Sequence, residues 1–249
     1  MKSTAKLILQ KLLGFKTYLL VFAVFVIIKL RWDKKEKDFM KFLGLIPDGG
    51  LILDIGANIG ATTFHLSKRF PASRVFSFEP VKINSDTLKT VVKLFSLKNV
   101  RVFEMALGNR SGSAEMVMPV IGKVKFHGLA HVVQDKAAKN PGGIKYKVPM
   151  AQLDDIAELK NPGIPVSAIK MDVENFEYHV LRGGKNLIEK NRPIIYCELW
   201  DNENRKNCIN FLASSGYRPF IFQGKKLIPC TDMRINKNNF LFLTENEAD

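Results

Sequence analysis

The sequence predicts an α/β fold with a doubly wound, mostly parallel sheet, and three observations predict it. Apolar runs of strand length alternate with helix-length segments from residue 51 to residue 215. The first run, Leu-Ile-Leu-Asp-Ile at 51–55, is nearly continuous in its apolar character, as in a parallel strand buried on both faces. It leads directly into a glycine-containing loop and a helix, the place where sheets of this kind bind ligands at their strand carboxyl ends.

Taken in order, residues 1–46 form a basic and apolar segment, and residues 47–249 form the folded domain. Pro47, Asp48, Gly49 and Gly50 give the turn that separates the two. Strands are expected at 51–55, 74–79, 100–104, 168–173 and 194–199, with helices at 61–70, 84–93, 177–189 and 203–215. Two further runs, 217–222 and 239–243, pair as a closing antiparallel hairpin, giving seven strands. Right-handed crossovers follow from the parallel pairing. An insertion at about 107–150 breaks the alternation. It is rich in glycine (Gly108, Gly112, Gly122, Gly128, Gly142 and Gly143) and in lysine (Lys123, Lys125, Lys136, Lys139, Lys145 and Lys147), and it is expected as a loop and hairpin over the site.

The net charge is +14, and half of it lies in residues 1–41, where ten Lys or Arg face three carboxylates. Such an excess attracts nucleic acid, an acidic small molecule or anionic lipid, and its placement favours an anionic membrane surface. The uninterrupted apolar stretch 18–28 holds 11 residues, short of the roughly 20 that a spanning helix requires. Lengthened by the snorkelling stems of Lys16 and Lys29 it makes a thin span; with Leu7, Ile8, Leu12, Leu13 and Phe15 upstream it makes an interfacial helix. A third reading is a helix packed on the domain. No small-x-small cleavage site follows it. Cys197, Cys208 and Cys230 include no close pair, so neither a disulfide framework nor a metal site is expected, and the chain reads as cytoplasmic.

The chemistry concentrates at two strand ends. Asp54, Gly56, Ala57, Asn58 and Gly60 form the loop after the first strand, where glycines permit a tight turn and close backbone approach. Their spacing differs from the G-x-G-x-x-G of pyrophosphate-binding loops. Glu79 closes the second strand, where a carboxylate accepts hydrogen bonds from both hydroxyls of a ribose. Together they suit a nucleoside ligand without a pyrophosphate, such as S-adenosyl-L-methionine, with Asp54 and Asn58 at its charged methionine end.

The run DIGANIG at 54–60, FEP at 78–80, ALG at 106–108, IKMDVENFEYHVLRGG at 169–184 and ELW at 198–200 resemble the FkbM family of methyltransferases over roughly residues 50–222. The resemblance implies the seven-stranded, Rossmann-like sheet of class I methyltransferases, places Ala106 near the adenine, and implies O-methylation of a small-molecule or glycan hydroxyl. Asn175 stands where the family usually has glycine, and asparagine tolerates the left-handed backbone better than most residues.

Asp172 and Glu174 follow the fourth strand and Glu198 ends the fifth. Residues 172 and 174 share one side of an extended chain, so their carboxylates converge, and mutual repulsion raises one pKa toward neutrality. One of them then accepts the acceptor's proton while Glu198 orients the acceptor; Asp172 also borders the cofactor. The competing reading makes Asp172 a helix cap and Glu174 a ligand of a backbone N–H. His127 and His131 are candidates for acceptor contact, and Lys170 is an unexplained charge in a buried strand. An RNA or protein methyltransferase and a non-catalytic adenosyl-binding module remain as alternatives. Nucleic acid is disfavoured because Phe126 and Tyr146 are the only aromatics in the insertion.

Overall fold

The computed structural model describes residues 2–33, 36–121, 124–125, 127–133, 143–161, 163–232 and 235–244. Three helices open the chain, α1 (Lys2–Leu13), α2 (Phe15–Leu30) and α3 (Lys37–Phe42). The core begins with β1 (Leu51–Ile55), α4 (Ala61–Arg69), β2 (Arg74–Phe78), α5 (Lys82–Leu94) and β3 (Val100–Phe103). Five short or long strands follow, β4 (Ala106–Leu107), β5 (Gly112–Ile121), β6 (Val124–Lys125), β7 (His131–Val132) and β8 (Gly143–Ala151). The chain then returns through α6 (Ala157–Lys160), β9 (Val166–Met171), α7 (Glu177–Gly183), α8 (Lys185–Asn191), β10 (Ile194–Glu198) and α9 (Glu203–Ser214). It closes with β11 (Tyr217–Gln223), β12 (Lys226–Pro229) and β13 (Asn239–Thr244).

The main sheet runs β12-β11-β13-β10-β9-β1-β2-β3, with β1, β2, β3, β9 and β10 parallel and the last three antiparallel. All five residues of β1 are buried, as its apolar run requires of a central strand. From β1 the chain winds outward to β3, then crosses back to β9 on the other side. The strand order therefore reverses between β1 and β9, and a crevice opens there at the carboxyl ends.

Two expectations change. The sheet has eight strands among the described residues rather than seven, because Gly224 turns with φ 61° and folds Lys226–Pro229 back along β11. The hairpin expected of the last two runs does form as the antiparallel pair β11–β13, with β12 between them in sequence. The single helix expected at 177–189 is two, broken at Gly183 and Gly184. A Cβ on Gly183 would stand 1.9 Å from the Gly108 carbonyl oxygen, and one on Gly184 would stand 2.7 Å from Leu153 Cδ1. Close approach to the start of the insertion thus selects Gly183, packing on Leu153 just past the insertion selects Gly184, and α7 ends between them.

The insertion is built on the long antiparallel pair β5–β8, with β4 beside β8 and β6 and β7 beside β5. At the opposite side of the crevice lies α2. Leu19, Ala23, Ile27 and Leu30 recur at helical spacing and are buried, and most of them pack with Ile59 and Val91 of the core. His65 of α4 donates from Nε2 to the Ile27 carbonyl at 3.0 Å, a satisfied core histidine that ties α2 to the domain.

Candidate active site at the strand ends

The loop after β1 is tight because three of its residues take left-handed angles: Gly56 (φ 75°), Asn58 (φ 48°) and Gly60 (φ 92°). A Cβ on Gly56 would lie 1.8 Å from the carbonyl oxygen of Asp172, so the end of β9 excludes any side chain there. The Gly56 and Ala57 N–H groups both donate to the Phe78 carbonyl, at 3.1 and 3.0 Å, which binds the loop to the end of β2. At Gly60 the constraint comes from helix packing, since a Cβ would meet Leu88 of α5 at 2.6 Å.

Glu79 is 5% exposed and gathers this corner together. It accepts from the Asn58 N–H at 2.9 Å on one oxygen, and from the Val81 N–H at 2.9 Å and the Asn84 amide at 3.3 Å on the other. Burial pushes its carboxyl up to about 7 despite those donors. Those three donors take three of the roughly four acceptor sites of a carboxylate, and the remaining one is on the oxygen bonded to Asn58.

Beneath the loop, Lys170 is a buried charge in the middle of the sheet, between β1 and β10, and not at an edge. Its Nζ lies 3.5 Å from Asp54 Oδ1 and 3.9 Å from Asp172 Oδ2, and it donates to the Gly56 carbonyl at 3.1 Å. Burial works against this charge, but the carboxylates of Asp54, Asp172 and Glu198 outweigh it and hold the amine above its ordinary value. Asp54 is fully enclosed, and its other oxygen accepts from Thr62 at 2.8 Å and Thr63 at 2.6 Å at the start of α4. The side chain expected at a ligand's charged end thus sits below the loop, and it anchors Lys170.

The acidic segment after β9 is not extended. Glu174 and Asn175 both take left-handed angles, φ 53° and φ 71°, so Asp172 and Glu174 meet through a turn and not through strand alternation. The Asn175 side chain accepts from Asn202 at 2.6 Å, an asparagine serving where the backbone demands positive φ. It is Glu177, not Glu174, that binds a backbone N–H. Its carboxylate accepts from Val173 N–H at 3.1 Å and from the Asn204 amide at 2.6 Å, bracing the turn from inside. Nor does Asp172 cap α7, whose N-terminal cap has no side-chain hydrogen bond. Burial first, then the neighbouring Asp172, Glu198 and Glu177 carboxylates, raise Glu174 to about 8. Burial and Asp172 raise Glu198 to about 7.

A cavity of about 60 Å³ lies over these strand ends, with Gly56, Asn58, Glu79, Ala106, Asp172 and Glu174 in its wall. Met105, Leu107 and Phe176 add an apolar side, and Gly128, Ala130 and Val132 of the insertion roof it. Glu198 does not reach this wall; neither do Ala57 and Gly60, although Ala57 lines a neighbouring cavity of about 330 Å³ against α2. Among the expected site residues the structure therefore gathers six and sets Asp54, Ala57, Gly60 and Glu198 behind or beside them. Phe176 and Glu177 had no separate signal in the sequence; Lys170 had one, as a charge inside an apolar strand, but its partners Asp54 and the Gly56 carbonyl did not show there. His131 is bonded within its own turn, Nδ1 to the Leu129 carbonyl at 3.0 Å. The His127 side chain, with Phe126, Lys123, Lys136 and Lys139, lies outside the described residues.

The buried ion pair yields a stability prediction. Lys170→Met leaves Asp54 enclosed beside an apolar chain, so unfolding free energy should fall by about 3–5 kcal/mol, the usual cost of stranding one partner of a buried pair. Chemical denaturation of the two proteins measures it, and an unchanged midpoint would refute the network.

The sequence model of the Methyltransferase FkbM domain matches residues 54–219. Methyltransferase 1 of Beauveria bassiana is 26% identical over 151 residues, which cover 55% of this chain and 59% of that protein. Methyltransferase sdnD of Sordaria araneosa is 25% identical over 159 residues, covering 55% of this chain and 61% of that protein. The chain thus spans about three-fifths of the length of the curated relatives it matches. Its fold resembles the crystal structure of Methyltransferase FkbM from Methylobacillus flagellatus, with a TM-score of 0.54 at 18% identity over 80% of this chain and 45% of that one. The domain match runs from Asp54 in β1 to Pro219 in β11 and takes in every residue of the cavity wall, and by it this chain belongs to the FkbM methyltransferase family.

Proposed function

We propose that this protein is an S-adenosylmethionine-dependent methyltransferase that methylates a hydroxyl oxygen of a small molecule or glycan. The observation that carries the reading is the cavity wall at the switch point between β1 and β9, which holds the carboxylates Glu79, Asp172 and Glu174 and no Lys or Arg among its described residues. Such a wall offers no cation to a pyrophosphate, and it suits a ligand with a positive sulfonium and ammonium, whose charge favours the ionised form of these carboxyls. Glu79 would take the ribose hydroxyls, Asn58 and Asp172 the methionine end, and Ala106, Met105 and Leu107 the adenine. The bound cofactor supplies a methyl group on a positively charged sulfur. Asp54 contributes from below, since through Lys170 it fixes the Gly56 carbonyl and the loop that carries Asn58.

Methylation of a hydroxyl demands alignment and removal of one proton. Alignment supplies much of the rate in a displacement of this type. The pair Asp172 and Glu174 is the candidate proton acceptor, with Glu198 orienting the acceptor from the end of β10. Ligand cavities measure roughly 300–1,000 Å³, so the 60 Å³ space requires the roof at Gly128, Ala130 and Val132 to withdraw when the nucleoside enters.

Titration calorimetry with S-adenosylhomocysteine should give binding that Glu79→Gln weakens about tenfold or more, as expected for losing charge-assisted hydrogen bonds. Amide exchange over residues 128–132 should change on binding. With radiolabelled cofactor and fractionated cell extract, Asp172→Asn or Glu174→Gln should lower labelling by about 10²–10⁴-fold, and Glu174→Gln should do so while S-adenosylhomocysteine binding persists. Labelling by the unaltered protein should rise as pH approaches about 8, where Glu174 loses its proton, and level off above. Full labelling by both variants would remove the proton-acceptor role, and no binding of the product by folded protein would remove the function.

We propose further that the N-terminal helices rest on an anionic membrane surface. Among the described residues no helix is long and apolar enough to cross a membrane. Yet Leu12, Val21, Phe25, Ile28 and Trp32 are each more than half exposed, and the last four recur at helical spacing along α2 and just past its end. Lys11, Lys16, Lys29 and Arg31 lie among them in sequence. An exposed apolar face bordered by cations fits the boundary of anionic lipid headgroups and acyl chains. The full-length protein should sediment with vesicles of phosphatidylglycerol and phosphatidylcholine, less with phosphatidylcholine alone, and the combined Val21→Ser and Ile28→Ser variant should bind about tenfold more weakly. Self-association in solution without vesicle binding would assign that face to a second copy and overturn the membrane reading.

A further inference from the structure

The loop after β1 has two walls. On one side is the proposed adenosyl cavity; on the other, Gly56, Asn58 and Asp172 also line the cavity of about 330 Å³ closed by α2. Its two ends differ in chemistry. Phe22, Phe25, Val26 and Leu30 give an apolar flank, whereas Lys29, Asp33, Glu36, Lys170 and Asp172 form a polar end. Phe25 is at once a wall residue and 55% exposed, so the apolar flank opens onto the outer face of α2.

The polar end is biased toward one kind of partner. Lys29 is paired with Asp33 at 2.7 Å, and Lys170 is held by Asp54 at 3.5 Å and Asp172 at 3.9 Å. Both cations are thus engaged by carboxylates, and among the described residues three carboxylates and two amines line the space. Hydroxyl groups find acceptors there at Glu36 and Asp172.

Position completes the argument. A displacement needs its reacting atoms about 3–3.5 Å apart, so the acceptor site must adjoin the methionine end of the donor site. The α2 cavity does so through Gly56, Asn58 and Asp172. The cavity beneath β5, walled by Asn109, Arg110 and His179, meets the donor cavity only at Val132 and Phe176. We infer that the α2 cavity is the acceptor site and that the acceptor is a hydroxyl-bearing amphiphile, its apolar body along Phe22, Phe25 and Val26 and its hydroxyl at Asp172. This rests on the methyltransferase reading. The acceptor oxygen gains the methyl carbon as that carbon's bond to sulfur breaks, the sulfur keeps the electron pair, and the hydroxyl proton passes to the Asp172 and Glu174 pair, of which Asp172 faces both cavities.

The test uses full-length protein and n-alkyl β-glucosides from octyl to decyl, each below its micellar concentration, with binding read by calorimetry. Affinity should rise about fourfold per added methylene, the factor that burial of one such group supplies. Val26→Trp should weaken decyl glucoside at least tenfold and leave S-adenosylhomocysteine affinity unchanged, while Val21→Ser on the outer face should alter neither. If Val26→Trp also loses the nucleoside, Phe22→Ser carries the same expectation. Glucoside binding that survives both cavity substitutions, or that is absent from protein still binding S-adenosylhomocysteine, overturns the inference. Absence of S-adenosylhomocysteine binding in folded wild-type protein overturns the methyltransferase reading instead.

Discussion

One buried cation holds the active corner together. Lys170 stands inside the sheet, where an isolated ammonium would cost several kcal/mol, and it is kept charged by Asp54 beneath it and by Asp172 above. Through its bond to the Gly56 carbonyl the same amine fixes the turn whose next residues place Asn58 against Glu79. The Asp54 carboxylate in turn gathers the Thr62 and Thr63 hydroxyls at the start of α4. Strand β1, its loop, the following helix and the end of β9 are therefore one electrostatic unit. A residue that reads as a misplaced surface charge is the internal counter-ion on which the others are arranged.

Much of this was written plainly in the chain. The strands of the parallel half announce themselves through apolar runs, since a strand covered on both faces leaves little room for polar residues. The placement of Glu79 and Asp172 at strand ends follows from those same runs. What the sequence concealed depends on contacts between distant segments. Nothing local says that Gly56 is required by a carbonyl 116 residues later, or that Gly183 is required by Gly108. Strand β12 escaped because Lys226–Pro229 carries a basic residue and a proline in a stretch of only four residues. The competing reading of Glu174 as a ligand of a backbone N–H fails by three residues: Glu177 accepts that bond, from Val173, while Glu174 and Asn175 form a left-handed turn.

The N-terminal helix shows why an apolar stretch alone is ambiguous. Helix α2 is apolar around its whole circumference, and it uses one half of that surface to cover Ile59 and Val91. A sequence pattern of this kind suits a short span, an interfacial helix or a packed helix equally. The fold resolves the packed half through burial and the His65 bond, and it leaves Val21, Phe25 and Ile28 outside. The same helix also walls the cavity of about 330 Å³ beside the loop after β1, so the N-terminal segment and the sheet share that surface.

The outer margins of the main sheet carry a further consequence. A bare strand margin offers unpaired N–H and C=O groups to any other chain, which is how sheets recruit one another into aggregates. On one margin β12 is only four residues long, opens with Lys226 and ends with Pro229, whose nitrogen cannot donate. On the other, Arg101 of β3 is engaged by Glu158 of α6. Both borders are thereby made poor templates for strand addition, and copies of the protein can crowd one another without zipping together.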